Sequence, residues 1–295
     1  MWRTILLVFA TVAICAASLA GMRRADHESS RLSDSALPRR IVSLVPAMTE
    51  ICFALGLGDR VIGRSTYEDF PPAVKSLPDV GGLLDPNLER IVLLNPDLLL
   101  VARTGKDLRG RLEAAGLPCL LLPNDSLDDV YESIKLIGAR AGCLDRALHL
   151  REDLRRRVDA VRARTAGVKP KRVLLSISAS RIPMSPPWVV GPQSYLGSLV
   201  EMAGGQIVPE NLGAGYGEIS FEQVLKTDPD VIIEVRGLAG EPRDLAADPA
   251  AAWATIGDLN AVSDHRVFVL HGSRHVIPGP RFVDTLDEIQ DLLAR

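Results

Sequence analysis

Basic side chains follow two of the predicted strands, at the point where each strand ends. Arg103 comes just after the apolar run at residues 98–101, and Arg274 with His275 comes just after residues 267–270. Open α/β sheets bind their ligands beyond the carboxyl ends of the strands, and arginine there suits a carboxylate or phosphate group. These three residues are candidate ligand-binding residues, although arginines are also common on ordinary surfaces.

The same segment contains the one histidine cluster of the sequence. His271 and His275 are four residues apart, which places two imidazoles on one face only in a helix, whereas Gly272 and Pro278 favour a loop. An anion contact or simple exposure therefore fits better than a metal site. Because the sequence also lacks phosphate-binding glycine motifs and a Gly-x-Ser-x-Gly nucleophile turn, we expect neither an enzyme nor a bound cofactor.

One pattern occurs twice and indicates how the chain is organised. Residues 87–100 recur in pattern as residues 220–233. Each copy has a helix-capping residue, a glutamate two places later (Glu89 and Glu222), a short amphipathic segment, a proline and a buried strand. An acid in the first helical turn stabilises a helix by about 0.3 to 1 kcal/mol without any partner. The repeat predicts two similar lobes.

The order of the remaining segments predicts the fold class. Apolar, β-branched runs alternate with helical patterns, which favours mostly parallel sheets covered on both faces. Residues 143–166 contain no proline or glycine and have one apolar stripe, so they predict a long helix. We expect an N-terminal α/β lobe (39–142), this linking helix (143–166) and a C-terminal α/β lobe (167–295), with a ligand cleft between the lobes.

Composition limits the class of partner. The chain has 295 residues, of which 47% are hydrophobic, and a net charge of -3; the mean hydropathy is +0.14. This length and composition suit a protein of one or two domains. The chain lacks the basic field that nucleic-acid binding requires. No nucleic-acid partner is expected.

The N-terminus predicts export. Residues 1–21 read as a secretory signal peptide or as an uncleaved anchor, and residues 22–38 as a flexible spacer. Cys15 leaves lipidation open, although Ile14 stands where a lipoprotein signal usually has a small residue. Cys52, Cys119 and Cys143 have no metal-binding spacing and read as core residues, with one disulfide pair left open.

Several segments together resemble a known family. The opening of the first lobe (residues 40–50), the loop at residues 67–72 and both repeat copies resemble the periplasmic-binding proteins for cobalamin and ferric chelates. That resemblance covers residues 39 to 293. It implies two α/β lobes bridged by one helix, and delivery of a chelate to an ABC permease and its ATPase.

The resemblance also implies residue roles. Glu89 and Glu222 match the glutamates that dock into basic pockets of the permease. Tyr67, Trp188 and Tyr216 fall where the family has pocket aromatics, and flat ligands stack on such rings. Leu83 and Ala102 depart from the pattern of the family, since a cobalamin-binding protein typically shows tryptophan at both positions.

The sequence therefore predicts an exported, monomeric solute-binding protein for a metal chelate. Corrinoid and ferric siderophore rank close together as the expected ligand, with haem behind them. Haem stays in the list because Tyr67 could ligate its iron. We expect a periplasmic or extracytoplasmic location, with possible anchoring through residues 1–21. The alternatives are an enzyme or cofactor-cluster protein on a related scaffold, and a free metal-ion receptor, which needs three or four convergent ligands.

Overall fold

The apolar runs form strands in two separate sheets of the computed structural model. The structure describes residues 37–103, 106–177, 185–212, 215–237 and 248–295. The predictions for the signal or anchor, for Cys15 and for residues 22–36 of the spacer lie outside these ranges.

The first sheet is entirely parallel, as predicted. Its strands run in the order β2-β1-β3-β4, and these are β1 (Ile41–Ser43), β2 (Val61–Gly63), β3 (Leu98–Ala102) and β4 (Cys119–Leu122). Its helices are α1 (Pro46–Ala54), α2 (Leu88–Leu93), α3 (Lys106–Ala114) and α4 (Leu127–Arg140). Short 3-10 turns lie at Gly58–Arg60 and Pro72–Ser76. Every residue of β3 is buried, which explains why its sequence is apolar without alternation.

The predicted linking helix is α5 (Leu144–Thr165). It buries one stripe that includes Ala147, Leu154 and Val161. Its charged residues are more than a solvated face, because Arg157 pairs with Asp284 at 2.8 Å on the final helix. The helix therefore holds the last helix of the chain through its polar side as well as its apolar stripe.

The second sheet contains both parallel and antiparallel strands. Its strands are β5 (Lys171–Ser176), β6 (Trp188–Val190), β7 (Gly205–Ile207), β8 (Tyr216–Glu218), β9 (Val231–Arg236) and β10 (Val267–His271). Its helices are α6 (Tyr195–Met202), α7 (Phe221–Thr227), α8 (Pro249–Ala254), α9 (Asn260–Ser263) and α10 (Phe282–Ala294), with a 3-10 turn at Ser273–Val276.

The parallel strands of the second sheet repeat the first sheet in order. β7 and β9 both pair with β5 in parallel, and β10 pairs with β9. The order β7-β5-β9-β10 therefore matches β2-β1-β3-β4. The second lobe differs by an added antiparallel ribbon, in which β6 pairs with both β5 and β8.

The sequence repeat has a structural cause that involves an arginine outside it. In the first copy, Asp97 accepts a hydrogen bond from the backbone amide of Arg40 at 2.9 Å, and the Arg40 guanidinium donates to the carbonyl of Asn95 at 3.0 Å. In the second copy, Asp230 accepts from the amide of Arg172 at 2.7 Å, and the Arg172 guanidinium donates to a carbonyl near the end of α7. The same acid and arginine thus fix each repeat helix to the first strand of its lobe.

Residues 39–295 form one compact unit. Its largest hydrophobic core contains residues of both sheets and of the linking helix, such as Leu100, Val158 and Leu175. The exact boundaries of the predicted lobes stay a prediction.

Cys52 and Cys143 are buried free thiols and Cys119 is a half-buried one, so no disulfide joins these three residues in this structure. None of the helices in the described ranges is long and apolar enough to cross a membrane.

Candidate functional site

Loops that follow the carboxyl ends of strands in the two sheets contact each other. The loop that follows β2 in the first lobe meets the turn that follows β10 in the second, where the Ser273 hydroxyl donates to Asp69 at 3.0 Å. Both segments come directly after the ends of parallel strands, which is where ligands of α/β sheets bind. The candidate site is therefore the cleft that these loops border.

A buried ion pair joins the lobes beside this contact. Glu50 of α1 is almost fully buried, and the Arg281 guanidinium at the start of α10 donates to it from Nε at 3.0 Å. The same guanidinium lies over the ring of Phe70, 3.8 Å from its centroid. A Cβ atom at Gly279 would lie 2.9 Å from Oε2 of Glu50, so the glycine permits this close approach. Burial raises the pKa of Glu50, and Arg281 opposes that rise.

Tyr216 lies close to this junction. Tyr195 is buried at the start of α6, and its hydroxyl donates to the carbonyl of Ile277 at 3.2 Å. Burial raises the pKa of the Tyr195 hydroxyl, and the nearby carboxylate of Glu50 and the phenol of Tyr216 raise it further. One buried tyrosine thus lies near both a first-lobe acid and Tyr216.

The added ribbon presents aromatic rings on one face. Trp188 lies opposite Glu218, and Val190 lies opposite Tyr216. Residues directly opposite on antiparallel strands point to the same face of the sheet. Trp188 and Tyr216 are both exposed, and Trp188 accepts a backbone hydrogen bond from Ile177, just past the carboxyl end of β5. Both predicted aromatics therefore lie on one ribbon face at the carboxyl end of the sheet.

Tyr67 projects from the first lobe. Its side chain is more than half exposed, and its ring packs beside Gly82, where a Cβ atom would lie 3.0 Å from Cε2. The glycine therefore leaves room for the ring. Tyr67 belongs to the same loop as Asp69 and Phe70, which contact the second lobe, so it lies close to the junction in sequence.

A buried acid lies next to Tyr67 in the chain. Glu68 accepts a hydrogen bond from the backbone amide of Ser65 at 3.1 Å, whereas its second oxygen has no hydrogen-bond partner in the described residues. Burial raises the pKa of Glu68 to about 7. Hydrogen bonding by Ser65 and the positive charge of Arg64 lower that pKa by less than burial raises it. The loop that carries Tyr67 therefore contains a carboxyl that titrates near neutral pH.

The predicted basic residues are placed differently from one another. Arg103 follows the end of β3 and is exposed. The Arg274 guanidinium is ion-paired with Glu288 of α10. His275 is fully buried, with Nδ1 3.0 Å from the hydroxyl of Thr285. Burial lowers the pKa of His275 to about 4, so its ring is neutral and presents no atom at the surface in this structure.

The two repeat glutamates occupy equivalent places in the two lobes. Asn87 caps α2 by accepting from the amide of Arg90, and Ser220 caps α7 by accepting from the amide of Gln223. Glu89 and Glu222 are therefore free of the capping role, and both are exposed in the first turn of their helices. Neither carboxylate has a hydrogen-bond or ion-pair partner within the ranges that the structure describes.

A separate pocket of about 440 Å³ lies beside the linking helix. Its walls include Tyr131, Arg155, Asp159 and Phe282, so it carries charges of both signs. Elsewhere in the described chain, no group of three or more His, Cys, Asp or Glu residues is placed to hold a metal ion.

Comparison with known proteins decides the family. The family model described as "Periplasmic binding protein" matches residues 41–273. The chain belongs to the periplasmic binding protein family. This membership confirms the predicted class of solute-binding protein and indicates an extracytoplasmic protein.

Relatives of this periplasmic binding protein have more specific names. It is 28% identical to the uncharacterized ABC transporter substrate-binding lipoprotein YvrC of Bacillus subtilis (strain 168), over 86% of this chain and 79% of the relative. It is similar to the crystal structure of the periplasmic vitamin B12 binding protein BtuF of Vibrio cholerae, with 26% identity, a TM-score of 0.73 and coverage of 87% and 97%. A periplasmic heme binding protein from Pseudomonas aeruginosa gives 26% identity, a TM-score of 0.72 and coverage of 87% and 93%. The predicted two-lobed α/β fold is thereby confirmed.

Sequence reasoning missed the inter-lobe contacts of this periplasmic binding protein. Glu50 read only as part of a helix, and Arg281 and Ser273 had no motif to mark them. Their partners are far away in sequence, so no local pattern signals the pairs. A weak signal was the acidic residue within the otherwise apolar helix α1, since a buried carboxylate requires a partner.

Proposed function

We propose that this protein is the substrate-binding component of an ABC importer, which holds a metal chelate in the cleft and delivers it to a membrane permease without chemical change. Support for the transport role comes from the match of residues 41–273 to the periplasmic binding protein family. The names of the relatives add an ABC transporter component, a vitamin B12 binder and a heme binder.

The observation that carries the ligand class is the exposed aromatic face of Trp188 and Tyr216 at the carboxyl end of the second sheet. A flat macrocycle or an aromatic siderophore gains stacking energy on such rings, at about 0.5 to 1.5 kcal/mol per aromatic pair beyond the area buried. A hydrated free metal ion would gain nothing from them. We therefore favour a chelate over a free metal ion.

Two further residues fit this ligand class from the first lobe. Tyr67 offers an exposed phenol, which can stack or can ligate the iron of haem. Arg103, exposed just past the end of β3, suits a carboxylate or phosphate of the chelate. Arg274 can serve a ligand only by sharing or leaving Glu288. Corrinoid, ferric siderophore and haem are the three ligands that these groups fit.

Delivery requires a contact with the permease, which we assign to Glu89 and Glu222. Both are exposed and lie at matching positions of the two lobes. Since neither carboxylate has a partner within the described residues, entry into a basic pocket would break no existing ion pair, and the opposite charge of the pocket would offset the loss of water. The double variant Glu89→Lys with Glu222→Lys should keep chelate affinity and lose uptake. Unchanged uptake would remove the docking role.

We further propose that the protein acts as a monomer on the outer side of the cytoplasmic membrane, where residues 1–21 direct export or hold it as an anchor. Mass measurement of the mature protein from its own cells would tell a cleaved chain from a retained or lipidated one. A cytoplasmic location of the full chain would contradict the transport role.

Ligand titration tests the proposal most directly. Purified protein is titrated with cyanocobalamin, haemin and a panel of ferric siderophores, by calorimetry and by quenching of tryptophan fluorescence. At least one chelate should bind with a Kd below about 10 μM, or roughly -7 kcal/mol. If all of them bind more weakly than this, and the free metal salts do too, the proposed ligand class is wrong.

A further inference from the structure

We propose that the pocket beside the linking helix is a second binding site, which takes a single α-amino acid with an apolar side chain in its zwitterionic form. Among the described residues, the lining of this pocket shares none with the chelate site proposed above. The inference therefore goes beyond the proposed function and does not rest on it.

Three parts of the fold form the walls of the pocket. Asp128 and Tyr131 come from α4 of the first lobe, Arg155 comes from the linking helix, and Met202 and Phe282 come from α6 and α10 of the second lobe. An occupant would therefore lie between both lobes and the linking helix. The volume of about 440 Å³ is near the lower end of the range for small-molecule sites, about 300 to 1,000 Å³, which suits a single amino acid better than a macrocycle.

Part of the wall is apolar and still reachable from solvent. Leu127, Tyr131 and Met202 pack against the main core but are only partly buried. Val158 and Phe282 also line the pocket and are buried. An apolar group of a ligand would cover the exposed parts of the first three side chains, which is favourable because apolar surface leaves water.

Two charged side chains of the wall are unpaired. The Arg155 guanidinium lies 5.3 Å from the centroid of the Tyr131 ring and has no ion pair with any described residue. Asp128 precedes Tyr131 by three residues and so lies on the same face of α4, and its carboxylate has no hydrogen-bond or ion-pair partner in the described chain. The other two lining charges, Arg162 and Asp159, lie 3.8 Å apart and offset each other.

The charges of the wall converge on one phenol. Burial raises the pKa of Tyr131, the positive charges of Arg155 and Arg162 lower it, and the negative charges of Asp159 and Asp128 raise it. All four groups are thus close enough to act on the same hydroxyl. Arg155 and Asp128 therefore face one space from two helices without pairing with each other.

A zwitterion satisfies both unpaired groups at once. The carboxylate of an α-amino acid can accept two hydrogen bonds from the Arg155 guanidinium, and its ammonium group can donate to Asp128. The apolar side chain then covers Leu127 and Met202. A ligand with one charge would leave either the arginine or the aspartate unpaired as water is excluded, which is costly.

Calorimetry on the purified protein tests the ligand class. Phenylalanine, leucine and methionine are titrated at pH 7.5, and at least one should bind with a Kd below about 1 mM. The analogues of the tightest binder that lack its ammonium group or its carboxylate should each bind at least fivefold more weakly. For phenylalanine these analogues are 3-phenylpropionate and 2-phenylethylamine. If no amino acid reaches this affinity, or if either analogue binds as tightly, the inference is wrong.

Two substitutions assign the charges of the ligand to the wall. Arg155→Gln should weaken the amino acid at least fivefold and leave the amine analogue unchanged. Asp128→Asn should weaken the amino acid by the same factor and leave the acid analogue unchanged. The matched control is Arg156→Gln, because Arg156 is next on the linking helix and pairs with Asp153 away from the pocket lining. Unchanged affinity in either pocket variant, or an equal loss in the control, would overturn the assignment.

Thermal unfolding separates the pocket from the chelate cleft. A ligand that binds only the folded protein raises the unfolding midpoint. The amino acid, at about ten times its Kd, should raise the midpoint of the wild type and of Trp188→Ala, a cleft variant, and should leave that of Arg155→Gln unchanged. If the rise is lost in Trp188→Ala and kept in Arg155→Gln, the amino acid binds in the cleft and the inference fails.

Discussion

Arg281 at the start of the last helix donates to Glu50 of the first helix at 3.0 Å and so ties the two lobes together beside the cleft. The Glu50 carboxylate is almost fully buried, so the pair is shielded from solvent. Phe70 covers the other side of the guanidinium. The contact joins the loop that carries Tyr67 and Phe70 in one lobe to the start of the last helix in the other.

Removal of one partner of the Glu50–Arg281 ion pair should lower the free energy of unfolding far more than removal of both partners. Arg281→Met leaves the Glu50 carboxylate buried without a counter-charge, which should cost about 3 kcal/mol in the free energy of unfolding. Glu50→Gln with Arg281→Met leaves no buried charge and should recover most of that loss. Urea unfolding of the three proteins measures both effects.

The pH dependence provides an internal control for the Arg281→Met variant. Burial already raises the pKa of Glu50, so the folded state favours the protonated acid more than the unfolded state does. The destabilisation should therefore be smaller at pH 5 than at pH 8. An equal loss at both pH values would mean that the buried charge is not its cause.

The pocket aromatics should contribute to chelate binding independently of stability. Trp188→Ala and Tyr216→Ala should each weaken chelate binding by about 2- to 12-fold, because each removes a stacking interaction of about 0.5 to 1.5 kcal/mol. Tyr67→Phe should keep corrinoid affinity and lose affinity for haem if the phenol ligates iron. Calorimetry gives these affinities, and Leu148→Ala on the linking helix serves as the control. A loss of the same size in the control, or unchanged affinity in both alanine variants, would refute the aromatic site.

Local patterns in the sequence were sufficient for the elements and for the duplication. The two caps, the buried positions and the proline of each repeat copy follow from helix and strand periodicity, and Asn87 and Ser220 cap as that pattern predicts. The linking helix was also predictable, because its apolar stripe is continuous. The antiparallel ribbon was not, since β6 and β8 have three residues each and lie on either side of the helix α6.

Long-range polar contacts are the part that the sequence did not reveal. Arg40 immediately precedes β1, and Arg172 is the second residue of β5. The carbonyls that they bind lie more than 50 residues away, just past the ends of the repeat helices. His275 looked like a residue at the open end of a strand, but the turn after β10 directs it into the core against Thr285. Sequence position locates the edge of a sheet and leaves the direction of the side chain open.

Glu68 predicts a loss of stability at alkaline pH. Its pKa is about 7 in the folded state and 4.5 ordinarily, because burial disfavours the charged form. Its contribution to folding is therefore complete below about pH 4.5 and is lost as the pH rises through 7. Glu68→Gln should match the wild type at pH 5 and exceed it at pH 8.5 by on the order of 2 to 3 kcal/mol. Urea unfolding at the two pH values measures this difference, and parallel profiles for both proteins would contradict it.

His275 predicts the opposite pH dependence. Burial, with Arg274 nearby, lowers its pKa from 6.5 to about 4, so the folded state keeps the ring neutral while the unfolded state takes up a proton. Its contribution to stability is complete above about pH 6.5 and is lost as the pH falls toward 4. His275→Gln keeps a hydrogen-bonding group near Thr285 without this titration, and should therefore lose less stability than the wild type between pH 7 and pH 5.

The same variant decides whether His275 belongs to the ligand site. Because the ring is fully buried, chelate affinity at pH 7.5 should change less than twofold in His275→Gln, while Arg103→Ala weakens a carboxylate-bearing chelate. Calorimetry with the chelate that binds most tightly measures both. A tenfold or larger loss in His275→Gln, with an unchanged circular dichroism spectrum and unfolding midpoint, would place the ring at the ligand and require the turn after β10 to open when the chelate binds.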